Sequence, residues 1–493
     1  MRGALIGIDL GTSGLKGLLV TPGGEVLAQA QASYPLLTER PGWSEQRPED
    51  WWVAAQEVLG GLAAQARRLG REPLGLGLSG QMHGAVVLDR KLSPLRPAML
   101  WNDSRSEQQC RWIEQRVGKE RLREICGNPA LVGFQAPKLL WLRDREPTTY
   151  AAIRKVVLPK DYLRLQLSGE LATDVSDASG TLLLDLAART WSAELLELLE
   201  LPVDWLPAVL ESPEVAGYLS AEAAGATGLP AGLPIVAGAG DNAAAALGCG
   251  VVEEGQGLLS LGTSGVLFTP TPQLRTDPSG AIHAMCHAVP GSYHLMGVTL
   301  SAGGSLRWFR ERWAGESSYA ELDQLAAGVE PGAAGVRFLP YLTGERSPHR
   351  DPRIRGAFLG LSLAHGRAEL TRAVLEGVAF SLWEVALAME ALGGKPQSLR
   401  GSGGGLDSAL WRQILAAVLE TPIERSGSEG PALGAAVLAS VGAAVHPDVR
   451  AAAAAMASSA GTEMPSPDLA SRYQPLREEY RRLYPALKAS GLW

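Results

Sequence analysis

The sequence predicts an α/β protein built as two related halves, and two observations carry that prediction. The pentapeptide Leu-Gly-Thr-Ser-Gly occurs twice, at residues 10–14 and 261–265, each time interrupting a run of apolar residues. Strand patterns and amphipathic helix patterns also alternate on both sides of the second copy. With 493 residues, 46% of them hydrophobic, the chain can bury substantial cores. The usual domain size suggests two to four domains.

The first half opens on residues 4–8, a buried-strand signature. After the first pentapeptide come Leu18-Leu19-Val20, a Pro22-Gly23-Gly24 turn and a third strand near Val26. Glycines let the main chain fold close to an anion, and consecutive N–H groups with Thr and Ser hydroxyls donate to its oxygens. The strand–loop–strand unit therefore reads as a phosphate cradle. A plain hairpin turn has the same composition; recurrence in the same context favours the cradle.

Next, Pro48, Glu49 and Asp50 open a helix with Trp52, Ala55, Leu59 and Leu62 along one side. A strand at 74–78 delivers Ser79-Gly80-Gln81-Met82-His83-Gly84 to its end, where polar side chains are placed to meet a ligand, and a strand at 85–88 follows. Beyond Trp101-Asn102-Asp103, a charged helical stretch and a long connection lead to residues 234–242. There a strand runs into small residues, then Asp241 and Asn242, and a helix starts over 243–247. This junction is the expected domain boundary, giving domains 1–243 and 244–493.

The second half repeats the theme. Strands are expected near 257–269, 281–289 and 292–298, followed by a helix from about Ala302 and another with Leu370, Ala373, Val374, Gly377 and Val378 on one face. A strand at 397–401 then feeds Gly401-Ser402-Gly403-Gly404-Gly405, a cluster that admits a flat ring or a phosphate, or forms a simple turn.

Composition excludes several classes. A net charge of −7 without a basic stripe argues against a nucleic-acid partner. After Met1-Arg2-Gly3 the apolar run is broken by Asp9, too early for a signal peptide, and no uninterrupted apolar run of about 20 residues follows. A cytoplasmic protein without a membrane partner is expected. Cys110, Cys126, Cys249 and Cys286 are scattered, with no Cys-x-x-Cys spacing, and read as packing residues. His283 and His287 would form a metal pair on a helix, but the Pro290-Gly291 turn puts them on a hairpin as packed or polar-face residues. Neither a Gly-x-Gly-x-x-Gly fingerprint nor a Walker A Gly-Lys-Ser/Thr ending is present.

Further motifs extend over nearly the whole chain: Ile8 to Gly14, Trp43 to Gln46, Gly80 to Gly84, Leu100 to Asp103, Ala136 to Trp141, Leu158 to Tyr162, Gly240 to Asn242 and Pro340 to Arg346. The stretch Gly356 to Leu361, continuing through Glu369-Leu370 and Ala373 to Glu376, is similar to a family signature. By these motifs the chain resembles the FGGY carbohydrate kinases. The resemblance implies a two-lobed actin-like ATPase (ribonuclease H-like) fold, with duplicated domains around a central cleft. It implies transfer of the γ-phosphate of ATP to a sugar hydroxyl, and the Gln-Met-His-Gly stretch points to the 5-hydroxyl of D-xylulose.

The same resemblance implies site residues. Asp241 is implied as catalytic base, and a carboxylate at a strand end between small residues can take a hydroxyl proton while the oxygen attacks phosphorus. It can also cap the helix that follows. Gln81, Met82, His83, Trp101, Asn102 and Asn242 are implied sugar contacts alongside Asp241. His83 can donate to or accept from hydroxyls and Trp101 offers an apolar face, while Met82 and Trp101 equally suit packing. Asp9 is implied to hold Mg²⁺ through water, with Thr12, Lys16, Gly262 and Thr263 around the phosphates. Gly303, Arg307, Gly404 and Ser408 match positions near the adenosine, Ser408 standing where many relatives carry Asn.

Family members often form dimers, so a homodimer is a further expectation. Rival readings are a kinase of this family for ribulose, another keto-sugar, a polyol or a sugar acid, and a sugar-sensing regulator without catalysis. No helix-turn-helix module or basic face supports the regulator, and Asp9 and Asp241 are both retained.

Overall fold

In the computed structural model, which describes residues 3–427 and 430–491, the two pentapeptides close the same kind of hairpin. Gly3–Leu10 pairs antiparallel with Gly14–Val20, and the Gly11 N–H donates to the Gly14 carbonyl at 3.1 Å. In the second copy Gln256–Leu261 pairs antiparallel with Gly265–Thr271, and the Gly262 N–H donates to the Ser264 carbonyl at 3.0 Å. Met1 and Arg2, the start of the stretch tested for a signal peptide, lie outside the described residues.

Each hairpin belongs to a seven-stranded sheet. In the first, Val26–Ser33, Gly14–Val20 and Gly3–Leu10 run antiparallel. Glu72–Gly80 then joins in parallel, followed by Pro234–Val236 in parallel and Val215–Tyr218 antiparallel. In the second, Tyr293–Thr299, Gly265–Thr271 and Gln256–Leu261 run antiparallel. Ser398–Ser402 and Ile423–Ser426 join in parallel, and Ser459–Glu463 closes antiparallel. Six strands thus repeat one order and one pattern of directions, the duplicated two-lobed architecture that the repeat predicts. Each sheet has one further strand: Ala239–Gly240 beside Glu72–Gly80, and His283–Cys286 beside Tyr293–Thr299.

The helix expected at Pro48 spans Pro48–Arg68, but its buried stripe runs through Trp51, Ala55, Val58 and Leu62, with Trp52 half-buried beside it. A period of 3.6 residues selects 51 rather than 52 as the first core position. The strand expected over 281–289 is short, ending at Cys286 where the chain turns and the His287 N–H donates to the Ser292 carbonyl.

A late segment buttresses the first sheet. Helix Gly430–Gly442 lies so close to it that a Cβ at Gly7 would come within 1.9 Å of the Ala432 carbonyl oxygen, and one at Gly77 within 1.9 Å of that of Ala435. On its other side, a Cβ at Gly434 would meet the Ala244 carbonyl at 1.8 Å. Backbone-to-backbone packing thereby fixes helix Asp241–Gly248 against the sheet. All four cysteines are buried and none forms a disulfide, and among the described residues no helix is long and apolar enough to cross a membrane.

Candidate active site

Strand Glu72–Gly80 is flanked by two parallel strands that end in acids. Asp9 lies opposite Ser79 on one side; Ala239 and Gly240 lie opposite Ser79 and Gly80 on the other, and Asp241 comes next. The Ser79 hydroxyl donates to Asp9 Oδ1 at 3.1 Å. Asp241 is the first residue of its helix, so Gly240 and not Asp241 occupies the capping position. Its Oδ1 still accepts a first-turn N–H, from Asn242 at 2.7 Å, and the Asn242 side-chain amide at 2.9 Å.

Burial, reinforced by the charge of Asp9, pushes the Asp241 carboxyl up to about 7. Burial likewise pushes Asp9 up to about 6, opposed by the Ser79 bond and by Lys16, which faces Asp9 across the hairpin. Two carboxyls that resist ionisation at a shared strand edge make a site for a proton transfer and for a cation.

Behind Asp241 lies a fully buried polar network. Ser176 Oγ accepts the Gly240 N–H at 3.1 Å and donates to Asp174 Oδ2 at 2.5 Å. Asp174 in turn accepts Ser212 Oγ at 2.9 Å and pairs with Lys160 Nζ at 2.8 Å. Lys160 also pairs with Asp161 at 2.7 Å and lies 3.5 Å from Asp177. Burial, offset by Lys160 but reinforced by the neighbouring carboxylates, holds the Asp177 carboxyl well above its ordinary range. This network was not assigned from the sequence; the polar run Thr173-Asp174-Val175-Ser176-Asp177 between apolar stretches is the signal that marks it.

The residues expected to touch sugar divide into free and committed groups. His83, at φ 70°, donates from Nδ1 to the Gly180 carbonyl at 2.7 Å, which leaves Nε2 as an acceptor. Burial pushes its imidazole down to about 3, so it is neutral. Lys138 holds the same backbone, donating to the His83 carbonyl at 2.9 Å. Met82 is buried, and a Cβ on Gly240 would sit 2.9 Å from its Sδ, so its thioether packs against the strand end that carries Asp241. Gln81 is buried and spends its amide on Gln46 at 2.9 Å and on the Thr12 hydroxyl at 3.2 Å. The Trp101 indole, 40% exposed, donates to Thr12 Oγ1 at 2.9 Å, and Asn102 is exposed. The Thr12 hydroxyl is therefore held by Gln81 and Trp101.

The expected nucleotide residues of the second half come together. Gly262, Thr263, Gly303, Arg307, Gly404 and Ser408 line one cavity of about 560 Å³, a size suited to a small organic ligand. Its glycine walls are packed main chain on main chain. The Gly303 N–H donates to the Gly262 carbonyl at 2.8 Å, and a Cβ there would lie 2.5 Å from that oxygen. Gly403 takes φ 92° with its own Cβ position 2.8 Å from Leu261 main-chain atoms, a conformation and a clearance that require glycine. Tyr319 and Asp323 of helix Tyr319–Ala327 also line the cavity. Sequence reading missed both, because nothing local ties that helix to the glycine loops.

The histidines of the second sheet are packed. His283 Nδ1 meets Asn128 Oδ1 at 2.8 Å, and His287 receives the Ala288 N–H. For Mg²⁺, which binds through one or two carboxylates plus phosphate oxygens, Asp9 at its strand end fits the donor chemistry. Bound there, the ion would neutralise charge on transferring phosphates.

Comparison with known proteins agrees with this geometry. The model of the N-terminal domain of the FGGY family of carbohydrate kinases matches residues 4–248, and that of the C-terminal domain matches residues 257–443. A xylulose kinase of Escherichia coli (strain K12) is 44% identical over 484 residues, covering 98% of this chain and 99% of its own length. One from Lactococcus lactis is 41% identical over 483 residues, covering 97% of this chain and 96% of its own. The crystal structure of a xyloylose kinase from Brucella ovis superimposes with a TM-score of 0.93 at 42% identity, covering 99% of both chains.

Proposed function

The chain belongs to the FGGY family of carbohydrate kinases, and on that footing we propose that it transfers the γ-phosphate of ATP to the 5-hydroxyl of D-xylulose, giving D-xylulose 5-phosphate and ADP. The observation that carries the chemistry is Asp241, a half-buried carboxyl held up near 7 beside Asp9 at the edge of the first sheet. The choice of sugar rests on the full-length likeness to xylulose kinases.

In this reading Asp241 takes the proton of the 5-hydroxyl as its oxygen bonds to the γ-phosphorus and the bond to the ADP oxygen breaks. Neutral His83 accepts a sugar hydroxyl hydrogen at Nε2. The half-exposed Trp101 ring offers its face to the carbon skeleton, and Asn102 adds a polar contact. Asn242 orients the base rather than the sugar, and Gln81 and Met82 shape the site by packing and by holding Thr12. Asp9 holds Mg²⁺. The first loop with Lys16, and Gly262 with Thr263, approach the phosphates, while Gly303, Arg307, Gly404 and Ser408 border the nucleoside. Residues 1–243 would then carry the sugar and the first phosphate loop, and residues 244–493 the nucleotide. A cytoplasmic enzyme, working as a homodimer, completes the reading.

A panel of D-xylulose, D-ribulose, gluconate and glycerol with coupled ADP detection tests it. The highest kcat/KM is expected for D-xylulose, with phosphate on C5 of the product. A preference for gluconate or glycerol would overturn the sugar, and no ADP release with any of them would overturn the kinase.

A further inference from the structure

Within the 560 Å³ cavity the charged side chains differ sharply in how far they are already engaged. Asp407 pairs with Arg425 and is exposed to solvent. Asp323, by contrast, is half-buried, and among the described residues no cation pairs with it. Burial raises its carboxyl above the ordinary range, opposed by one hydrogen bond with Ser408. The Ser408 hydroxyl also accepts the Trp411 N–H at 3.0 Å, as the cap of helix Ala409–Leu419.

Asp323 thus presents acceptor capacity to a cavity lined also by glycine backbone, by Arg307 and by the hydroxyl-bearing Thr263, Tyr319 and Ser408. A carboxylate only accepts hydrogen bonds, and it repels a polyphosphate. The phosphates therefore belong at the Gly262–Thr263 end, and what meets Asp323 is the nucleoside.

We propose that Asp323 selects the nucleotide by accepting a hydrogen bond from an N–H or O–H donor of the nucleoside. The proposal rests on the cavity being the nucleotide site. The donor is the exocyclic amine of the base or a ribose hydroxyl, and ligand analogues distinguish the two.

Calorimetric binding to the full chain, without sugar, tests the inference independently of turnover. The ligands are ADP, 2′-deoxy-ADP, 3′-deoxy-ADP and purine riboside diphosphate, which lacks the 6-amino group, all with Mg²⁺. The wild type should bind at least one analogue about tenfold or more weaker than ADP, the scale of a lost hydrogen bond to a charged group. D323A should weaken ADP by a similar factor and bring that analogue within about twofold of ADP. D323N, which keeps the shape, should also lose most of the discrimination. Unchanged ADP affinity in D323A, discrimination that survives it, or no ADP binding by the wild type would each overturn the assignment. Selective binding without sugar turnover would leave Asp323 assigned and sink the kinase reading instead.

Discussion

Asp9 and Asp241 end two strands that flank the same neighbour, Asp9 beside Ser79 and Asp241 directly after the Gly240 that pairs with Gly80. Across that shared strand, the charge of Asp9 raises the proton affinity of Asp241. The two carboxyls are therefore coupled electrostatically.

Replacing Asp241 with Asn should lower kcat by at least ~10²-fold, the range of general base assistance, with ADP affinity retained. It should also stabilise the fold. A carboxyl raised from 3.8 to about 7 favours the folded state only while protonated, so that stability is present below about pH 4 and lost as pH rises through about 7. At pH 8 the Asn variant escapes the loss, and its Tm should exceed that of the wild type by about 2 °C, the gap closing toward pH 4. Equal melting at both pH values would contradict the burial argument.

The pH dependence of kcat/KM for the sugar should rise through a midpoint near 7, where Asp241 ionises. Asp9→Asn removes a neighbouring negative charge, so the midpoint should move to lower pH even as turnover falls. Its Mg²⁺ titration should also shift to higher concentration. A midpoint that stays in place would separate the two carboxyls.

Ser176→Ala removes the acceptor of the Gly240 N–H and one partner of Asp174. Since the hydroxyl is fully buried and bound to Gly240 and Asp174, kcat should fall about tenfold while KM for the sugar and ADP affinity stay within about twofold. Steady-state kinetics beside a circular dichroism melt would separate loss of positioning from loss of fold. A rise in KM alone would defeat the positioning role.

Gly303→Ala places a Cβ 2.5 Å from the Gly262 carbonyl oxygen, forcing two walls of the cavity apart. Nucleotide affinity should drop more than about tenfold with sugar binding preserved, as measured by calorimetry with each ligand separately.

Gly434→Ala drives a methyl to within 1.8 Å of the Ala244 carbonyl. Overpacking of this kind costs about 1–3 kcal/mol, and here it also displaces the helix that begins with Asp241. A lowered denaturation midpoint should come together with a lowered kcat.

Much of this was legible in the chain itself. Both pentapeptide hairpins, the acids at positions 9 and 241 and the glycine clusters were readable because strand alternation and turn chemistry are local, spanning a few residues. The hydrogen bonds of Gln81 could not be read locally, because its partners Gln46 and Thr12 lie 35 and 69 residues away. Asp323 was overlooked for the same reason: its helix is plain in sequence, with the Ser318–Glu321 capping box at its start, but its approach to the loop at 404–408 is not.

By itself the sequence determined the duplicated α/β plan and which residue types stand at each strand end, since both follow from short-range periodicity and backbone sterics. Only the tertiary structure decided which distant groups meet: Ser176 on Gly240, Trp101 on Thr12, and helix Gly430–Gly442 pressed onto strands laid down hundreds of residues earlier. Those pairings arise when distant segments close on one another and buried donors must find acceptors, a global condition that no local pattern encodes.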